Sequence, residues 1–130
     1  MKDLIEDEIP FCEGNHTRED SKKDLIALED TLYVIGGKWK LKIINALYVN
    51  GNSRFNQLQQ IVTGISARVL SKELKEMELN GFIKRNVYTD TPVVITYGIT
   101  SYCSTLGPVL STLIEWGNTH KDKIRKDYRN

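Results

Sequence analysis

One short stretch, residues 65–81 with the sequence ISARVLSKELKEMELNG, restricts the fold of this chain more than any other. Ser66 is a residue type that accepts the free N–H groups of a first helical turn, and Gly81 favours the left-handed conformation that closes a helix. The apolar face between them holds Val69, Leu70, Leu74 and Met77, and the polar face holds Ala67, Arg68, Ser71, Lys72 and Lys75. The stretch predicts one amphipathic helix, whose basic face is typical either of a DNA-reading helix or of an ordinary solvated surface.

The segments before this helix favour the DNA-reading interpretation. Apolar periodicity predicts a first helix over residues 24–37, a second over residues 38–48 and a third over residues 54–61. In the second helix, we expect Trp39, Ile43, Ala46 and Leu47 to face inward and Lys38, Lys40 and Lys42 to face largely outward. Residues 63–64, Thr-Gly, then separate the third helix from the basic one. Two short helices joined by a tight glycine-containing turn form a helix-turn-helix, in which the second helix is the reader.

Two strands and a last helix are predicted after the basic helix. Residues 82–88 and 93–99 are rich in β-branched and aromatic residues, with residues 89–92 as a hairpin turn. Because a two-stranded hairpin is marginal alone, we expect it to pack on the helices as a wing. A last helix is expected from a Thr100 cap through Cys103 to about residue 126, with a kink near Gly107-Pro108. The predicted fold class is mostly α with a small β-hairpin, a winged helix-turn-helix with N- and C-terminal dimerisation helices.

Composition places the chain among globular proteins with a single domain. It has 130 residues, of which 40% are hydrophobic and 27% are charged. We assign residues 23–127 to the domain and the acidic residues 1–22, interrupted by proline and glycine, to a flexible tail. No apolar run approaches the ~18 residues needed to span a bilayer, and the acidic start lacks the basic flank of a secretory signal. We therefore expect a cytoplasmic protein without a membrane partner.

Positive charge collects around the basic helix. Residues 31–88 carry nine basic and three acidic side chains, whereas residues 1–30 carry four basic and ten acidic ones. This asymmetry is typical of a surface that binds the phosphates of double-stranded DNA. The residues predicted to face the major groove are Ser66, Ala67, Arg68, Ser71, Lys72 and Lys75, and those predicted to contact phosphate are Lys38, Lys40, Arg54, Lys84 and Arg85. Arg68 is the best candidate for a guanine edge, because a guanidinium donates two parallel hydrogen bonds to it.

The predicted first and last helices carry more apolar surface than a domain of this size covers. The apolar residues are Leu25 and Leu28 in the first helix, and Leu106, Leu110, Leu113 and Trp116 in the last. We expect two chains to pair through these faces as a homodimer. The alternative, that the two helices pack on each other within one chain, remains open.

The sequence has no pattern expected of an enzyme. It contains no paired carboxylates, nucleophile with a base, phosphate-binding loop or metal-ligand cluster at usable spacing, so we predict no catalytic residue, cofactor or metal. Its two cysteines, Cys12 and Cys103, lie 91 positions apart, which fits neither a disulfide framework nor a metal site. Cys103 falls in the first turn of the predicted last helix, where the helix dipole lowers a thiol pKa, and it is a candidate sensor. A small buried filler is the alternative role for this residue.

Three short segments occur in a specific combination: Gly36-Gly37-Lys38-Trp39, Phe55-Asn56-Gln57-Leu58 and Gly64-Ile65-Ser66. Further segments, Val69-Leu70-Ser71, Gly81-Phe82-Ile83 and Glu115-Trp116-Gly117, follow in order. Together they resemble the HxlR-type winged helix-turn-helix regulators, a MarR-like family, over about residues 25–117. The resemblance implies a dimeric, cytoplasmic bacterial transcription factor whose first and last helices form the dimer. It also implies a small-molecule effector, since several members respond to electrophiles, aldehydes or oxidants.

The chain departs from the family pattern at three places. Ile26 lies five residues before Thr31, where thiol-sensing members carry a cysteine. Residues 92–95, Pro-Val-Val-Ile, replace the usual Pro-Pro-Arg-Val of the wing, which removes an arginine from contact with DNA. Ala67 replaces a frequent glutamine and offers only apolar contact, for instance to a thymine methyl group.

The predicted function is sequence-specific DNA binding by a transcriptional repressor, which acts as a homodimer on a palindromic operator and responds to a small electrophile or oxidant. A different function remains open, because winged helices are also reused for protein contacts. In that alternative, the protein antagonises another regulator by binding to it directly.

Overall fold

A computed structural model describes residues 17–129 of the chain. The elements are α1 (Arg18–Ile35), α2 (Lys40–Asn50), α3 (Phe55–Ile61), α4 (Ala67–Leu79), β1 (Ile83–Tyr88), β2 (Val94–Ile99), a 3₁₀ turn (Cys103–Leu106) and α5 (Gly107–Arg129). The predicted winged helix-turn-helix fold, mostly helical with one antiparallel hairpin, is confirmed. The chain divides into two units between Tyr33 and Val34.

The first unit contains most of helix α1, which begins at Arg18 rather than at the predicted Asp24. Thr17 and Asp20 cap its start reciprocally: Asp20 Oδ2 accepts from Thr17 N at 3.0 Å, and Thr17 Oγ1 accepts from Asp20 N at 3.1 Å. This pair satisfies two N–H groups that a helix start otherwise leaves free, so the helix extends back to it. Residues 18–22 of the predicted tail thus lie in α1, and residues 1–16 lie outside the described residues.

The second unit packs α2, α3, α4 and the hairpin around one apolar core. Its largest fully buried side chains are Ile43 and Leu47 of α2, Leu58 of α3, and Leu70 and Met77 of α4. Full burial of one such side chain stabilises the fold by about 1.5–3 kcal/mol. Because all three helices contribute to the same cluster, their packing fixes the faces that remain outside.

Helices α2 and α3 differ from the prediction at their ends. Gly37, with a φ of +91°, turns the chain, and α2 starts only at Lys40. It continues to Asn50, and Gly51, with a φ of +74°, ends it. At the end of α3, Val62 is buried and Ile61 is exposed, so Val62 closes the apolar face of that helix.

Strands β1 and β2 form the predicted hairpin, in which Lys84 lies opposite Gly98 and Tyr88 lies opposite Val94. The hairpin is joined to the segment between α2 and α3 by a pair of backbone hydrogen bonds. Ser53 N donates to Tyr97 O at 2.9 Å, and Tyr97 N donates to Ser53 O at 2.8 Å. Backbone pairing as well as side-chain packing therefore sets the position of the wing.

The C-terminal segment consists of two elements instead of the single kinked helix predicted. Thr100 Oγ1 accepts from Cys103 N at 3.1 Å and caps the 3₁₀ turn, and α5 begins separately at Gly107. Pro108 occupies the start of α5, where its missing N–H group costs no hydrogen bond. All side chains at positions 111–129 of α5 are exposed.

Candidate nucleic-acid interface

Helix α4 has the start, the end and the two faces that the sequence predicts. Ser66 Oγ accepts from Val69 N at 3.2 Å, and Gly81, with a φ of +80°, follows the helix. On the inner face, Leu70, Leu74 and Met77 are at most 2% exposed. The outer face, formed by Ala67, Arg68, Ser71, Lys72 and Lys75, is exposed. Because the buried row faces the core, three basic side chains on the opposite face are presented together to the outside.

Replacing Ser66 by alanine is expected to lower the free energy of unfolding by about 1 kcal/mol, because the N–H group of Val69 loses its partner. Denaturant titration followed by circular dichroism measures this change. The same change at Ser71, an exposed position inside α4, is the control and is expected to stay within about 0.5 kcal/mol of the parent protein. Equal effects of the two substitutions would contradict the capping role of Ser66.

Two lysines flank an aromatic ring close to the turn between α3 and α4. The Nζ atoms of Lys38 and Lys42 lie 4.7 Å and 5.2 Å from the ring centroid of Trp39, within the range of a cation–π contact. Trp39 packs against the core, and a Cβ atom added to Gly64 would lie 3.9 Å from its ring. The ring therefore holds both charges beside the helix-turn-helix. The predicted site omitted Lys42, although its spacing of three residues from Trp39 already indicated that the two side chains lie close together.

The outward orientation predicted for Lys40 is wrong. Its side chain is only 11% exposed, and its Nζ lies 2.8 Å from Glu73 Oε2 and 3.0 Å from Glu76 Oε2. Burial lowers the pKa of Lys40, but the interactions with both carboxylates outweigh burial and hold that pKa above its ordinary value. The hydrogen bond from Lys40 in turn lowers the pKa of Glu76. The ammonium group of Lys40 thus faces helix α4 instead of solvent.

The remaining predicted phosphate contacts, Arg54, Lys84 and Arg85, are exposed. Arg54 directly precedes α3 and is exposed, and its backbone N–H group donates to Gln57 Oε1 at 2.8 Å. Lys84 and Arg85 are both exposed in β1. As successive residues of a strand point to opposite faces, these two side chains lie on opposite faces of the wing.

Apolar side chains of the predicted dimer helices are exposed. Leu25 and Leu28 of α1 are each 55% exposed, and Leu113 and Trp116 of α5 are 47% and 66% exposed. By contrast, Leu106 and Leu110 are partly buried against the core. Beside them an open cleft of about 270 Å³ is lined by Leu41, Lys42, Asn45, Leu110, Leu113 and Ile114. Helix α5 therefore presents an apolar face next to a cleft.

Cys103 does not have the environment predicted for a reactive thiol. It is 2% exposed within the 3₁₀ turn, and burial raises the pKa of its thiol. The predicted lowering of that pKa is wrong because α5 begins only at Gly107. This environment agrees with the alternative role of a small buried filler.

Residues 17–129 contain no group of histidine, cysteine, aspartate or glutamate side chains arranged to hold a metal ion. Within the same residues, no helix combines the length and the apolar character needed to cross a membrane.

Comparison with known proteins gives a consistent result. The model of the HxlR-like helix-turn-helix family matches residues 34–125. The uncharacterised HTH-type transcriptional regulator YdeP of Bacillus subtilis is 38% identical over 99 residues, which cover 76% of this chain and 77% of that protein. The redox regulator HypR in its reduced form aligns with a TM-score of 0.71 and 35% identity, covering 77% of this chain and 98% of that one. The reduced transcriptional regulator YodB from B. subtilis aligns with a TM-score of 0.64 and 29% identity, covering 71% and 89%.

Proposed function

The chain belongs to the HxlR-like helix-turn-helix family of transcriptional regulators, and from this premise we propose that it is a sequence-specific DNA-binding repressor. Family membership places it among DNA-binding regulators rather than among enzymes. The observation that carries the proposal is the exposed basic face of α4, which follows the helix-turn-helix turn from a capped start. Recognition helices offer this end to base edges and phosphates in the major groove.

The proposed contacts divide into two classes. The exposed face of α4 faces the major groove through Ser66, Ala67, Arg68, Ser71, Lys72 and Lys75. Phosphate contacts come from Lys38, Arg54 and a wing residue, either Lys84 or Arg85, and Lys42 joins them because it shares the Trp39 ring with Lys38. Phosphate contacts set the register of the protein on the duplex, whereas contacts to base edges carry the sequence preference.

We propose that two chains pair through α1 and α5. The exposed leucines Leu25 and Leu28, together with Leu113 and Trp116 of α5, support this assembly. Pairing brings two copies of α4 to one duplex, so the operator is a palindrome whose half-sites are about 34–36 Å apart. We propose repression as the result, because a dimer that covers a promoter would block access of the polymerase.

We also propose that a small electrophile or oxidant modulates DNA binding. The support is the similarity to HypR and YodB, one a redox regulator and the other with a structure of its reduced form. The cleft beside α5 offers a place for such a molecule next to the proposed dimer face. Titrating the protein–DNA complex with aldehydes, quinones and oxidants, in parallel with a Cys103→Ser variant, tests whether the response needs the thiol of Cys103.

Selection of duplexes from a random pool with the purified protein tests the main proposal. We expect enrichment of a palindrome, and a plot of log affinity against log salt concentration with a negative slope. The absence of both an enriched palindrome and a salt dependence would contradict DNA binding. That outcome would favour the alternative function, in which the winged helix binds another regulator.

Replacing Lys38 by alanine is expected to weaken binding to the selected duplex and to a random duplex by the same factor. One phosphate contact is lost in each half-site, so for the homodimer the slope of log affinity against log salt falls by about 1.8 in magnitude. Fluorescence anisotropy at four or five salt concentrations measures both quantities. Lys121→Ala is the control. It removes an exposed lysine from the C-terminal half of α5 and should leave the slope unchanged. A selective loss on the chosen duplex would contradict the phosphate role of Lys38.

A further inference from the structure

We propose that Lys40 is a positioning residue of the recognition helix: it bridges Glu73 and Glu76 and so holds the rotation of α4 without itself contacting DNA. The inference deepens the proposed function and rests on it. It departs from the expectation that each basic residue near α4 contacts phosphate.

The geometry ties two helices of the core together at one point. Lys40 is the first residue of α2, and its Nζ lies 2.8 Å and 3.0 Å from carboxylate oxygens of Glu73 and Glu76. The two glutamates are three residues apart and therefore share one side of α4. The side chains of Lys40 and Glu73 are only 11% and 14% exposed, so water screens their contact weakly.

The bridge lies where it resists rotation of α4 about its own axis. The buried row of Leu70, Leu74 and Met77 anchors the helix along one line, and Glu73 and Glu76 add an attachment beside that line. Side-chain tips lie about 6 Å from a helix axis, so a rotation of about 10° displaces them by about 1 Å. A displacement of that size exceeds the narrow distance range of a hydrogen bond to a base edge.

The bridge also neutralises negative charge on helix α4. The acidic residues of α4 are Glu73, Glu76 and Glu78, and an unpaired carboxylate beside DNA repels phosphate. Lys40 pairs with two of these three carboxylates. Its charge is therefore used within the protein, and we expect it to release no counterion from DNA.

The test replaces Lys40 by methionine, which keeps the length of the aliphatic stem, and uses Lys42→Met as the matched control on the same helix. Affinities are measured for the duplex selected by the parent protein and for a random duplex, each over a range of salt concentrations. For Lys40→Met we expect about a tenfold loss on the selected duplex, a value within the coupling range of residues in one ion-pair network. The random duplex should lose less than about twofold, and the salt slope should stay unchanged. Lys42→Met should instead weaken both duplexes equally and reduce the slope.

Two further measurements separate positioning from a general loss of folding. Thermal unfolding followed by circular dichroism gives the temperature at which each variant begins to unfold. Binding is measured below that temperature. In a Glu73→Gln/Glu76→Gln background, which removes the partners of Lys40, the additional Lys40→Met change should have little further effect on the ratio of the two affinities. If Lys40→Met does not fold, the Glu76→Gln variant is used instead, because the Glu76 side chain is 42% exposed and tolerates change. The ratio of its affinity for the selected duplex to its affinity for the random duplex should fall.

Each outcome has a defined meaning. A fall of the slope by about 1.8 in Lys40→Met, about 0.9 for each half-site, would show a phosphate contact and overturn the positioning role. If the folded Lys40→Met variant keeps the parent's ratio of affinity for the selected duplex to affinity for the random duplex, the positioning role is overturned as well. Failure of the parent protein to select any duplex is a different result, because it contradicts the proposed function itself.

Discussion

Replacing Arg68 by alanine is expected to reduce affinity for the selected duplex by about 5- to 150-fold for each half-site, equivalent to about 1–3 kcal/mol per half-site, while affinity for random DNA changes little. Arg68 is the second residue of α4, near the capped end of the helix, and its side chain is exposed. A guanidinium there donates two parallel hydrogen bonds to the O6 and N7 atoms of guanine, a pattern that the other base pairs do not present. The loss is therefore expected at one base pair in each half-site.

Competition with a set of single-base variants of the selected duplex measures this effect. In the parent protein, one position of each half-site should strongly prefer guanine, and Arg68→Ala should remove that preference while leaving the others. Arg54→Ala is the matched control, since it removes an exposed arginine assigned to phosphate and should weaken all duplexes equally. An equal loss on selected and random DNA for Arg68→Ala would contradict its role in reading bases.

Replacing Leu113 by glutamate is expected to separate the homodimer and to reduce affinity for the palindrome by about 100-fold or more, because the second half-site is no longer bound intramolecularly. Leu113 is 47% exposed on the apolar face of α5 in the single chain, so a charge there is tolerated by the monomer. In a dimer interface the same carboxylate would be buried without a partner, which costs several kcal/mol. Sedimentation velocity over a range of concentrations measures the assembly, and anisotropy measures the affinity.

Ser111→Glu is the matched control for this experiment. It introduces the same charge two residues earlier in α5, at an exposed position about 160° around the helix from Leu113. We expect it to remain dimeric and to bind the palindrome like the parent protein. A parent protein that sediments as a monomer, or a Leu113→Glu variant that stays dimeric, would contradict pairing through this face.

Helix α4 was predictable in detail because the signals that define it are local. A cap depends on a side chain and the N–H group three residues later, and Ser66 with Val69 N fulfils this condition. The alternation of faces likewise follows from helical geometry alone. The start of α1 was missed for a related reason: the reciprocal pair of Thr17 and Asp20 was present in the sequence, but the apolar pattern began only later.

By itself, the sequence determined the order of helices and strands, the inner and outer faces of α4 and the family, since each depends on residues that are near each other in the chain. The tertiary structure alone decided which charges are available. Lys40 follows the same lysine-rich pattern as Lys38 and Lys42, yet packing of α2 against α4 places it on Glu73 and Glu76. Cys103 similarly lost its predicted reactivity through burial. The availability of a charge or a thiol depends on desolvation and on partners brought together across the fold, and neither is a local property of the chain.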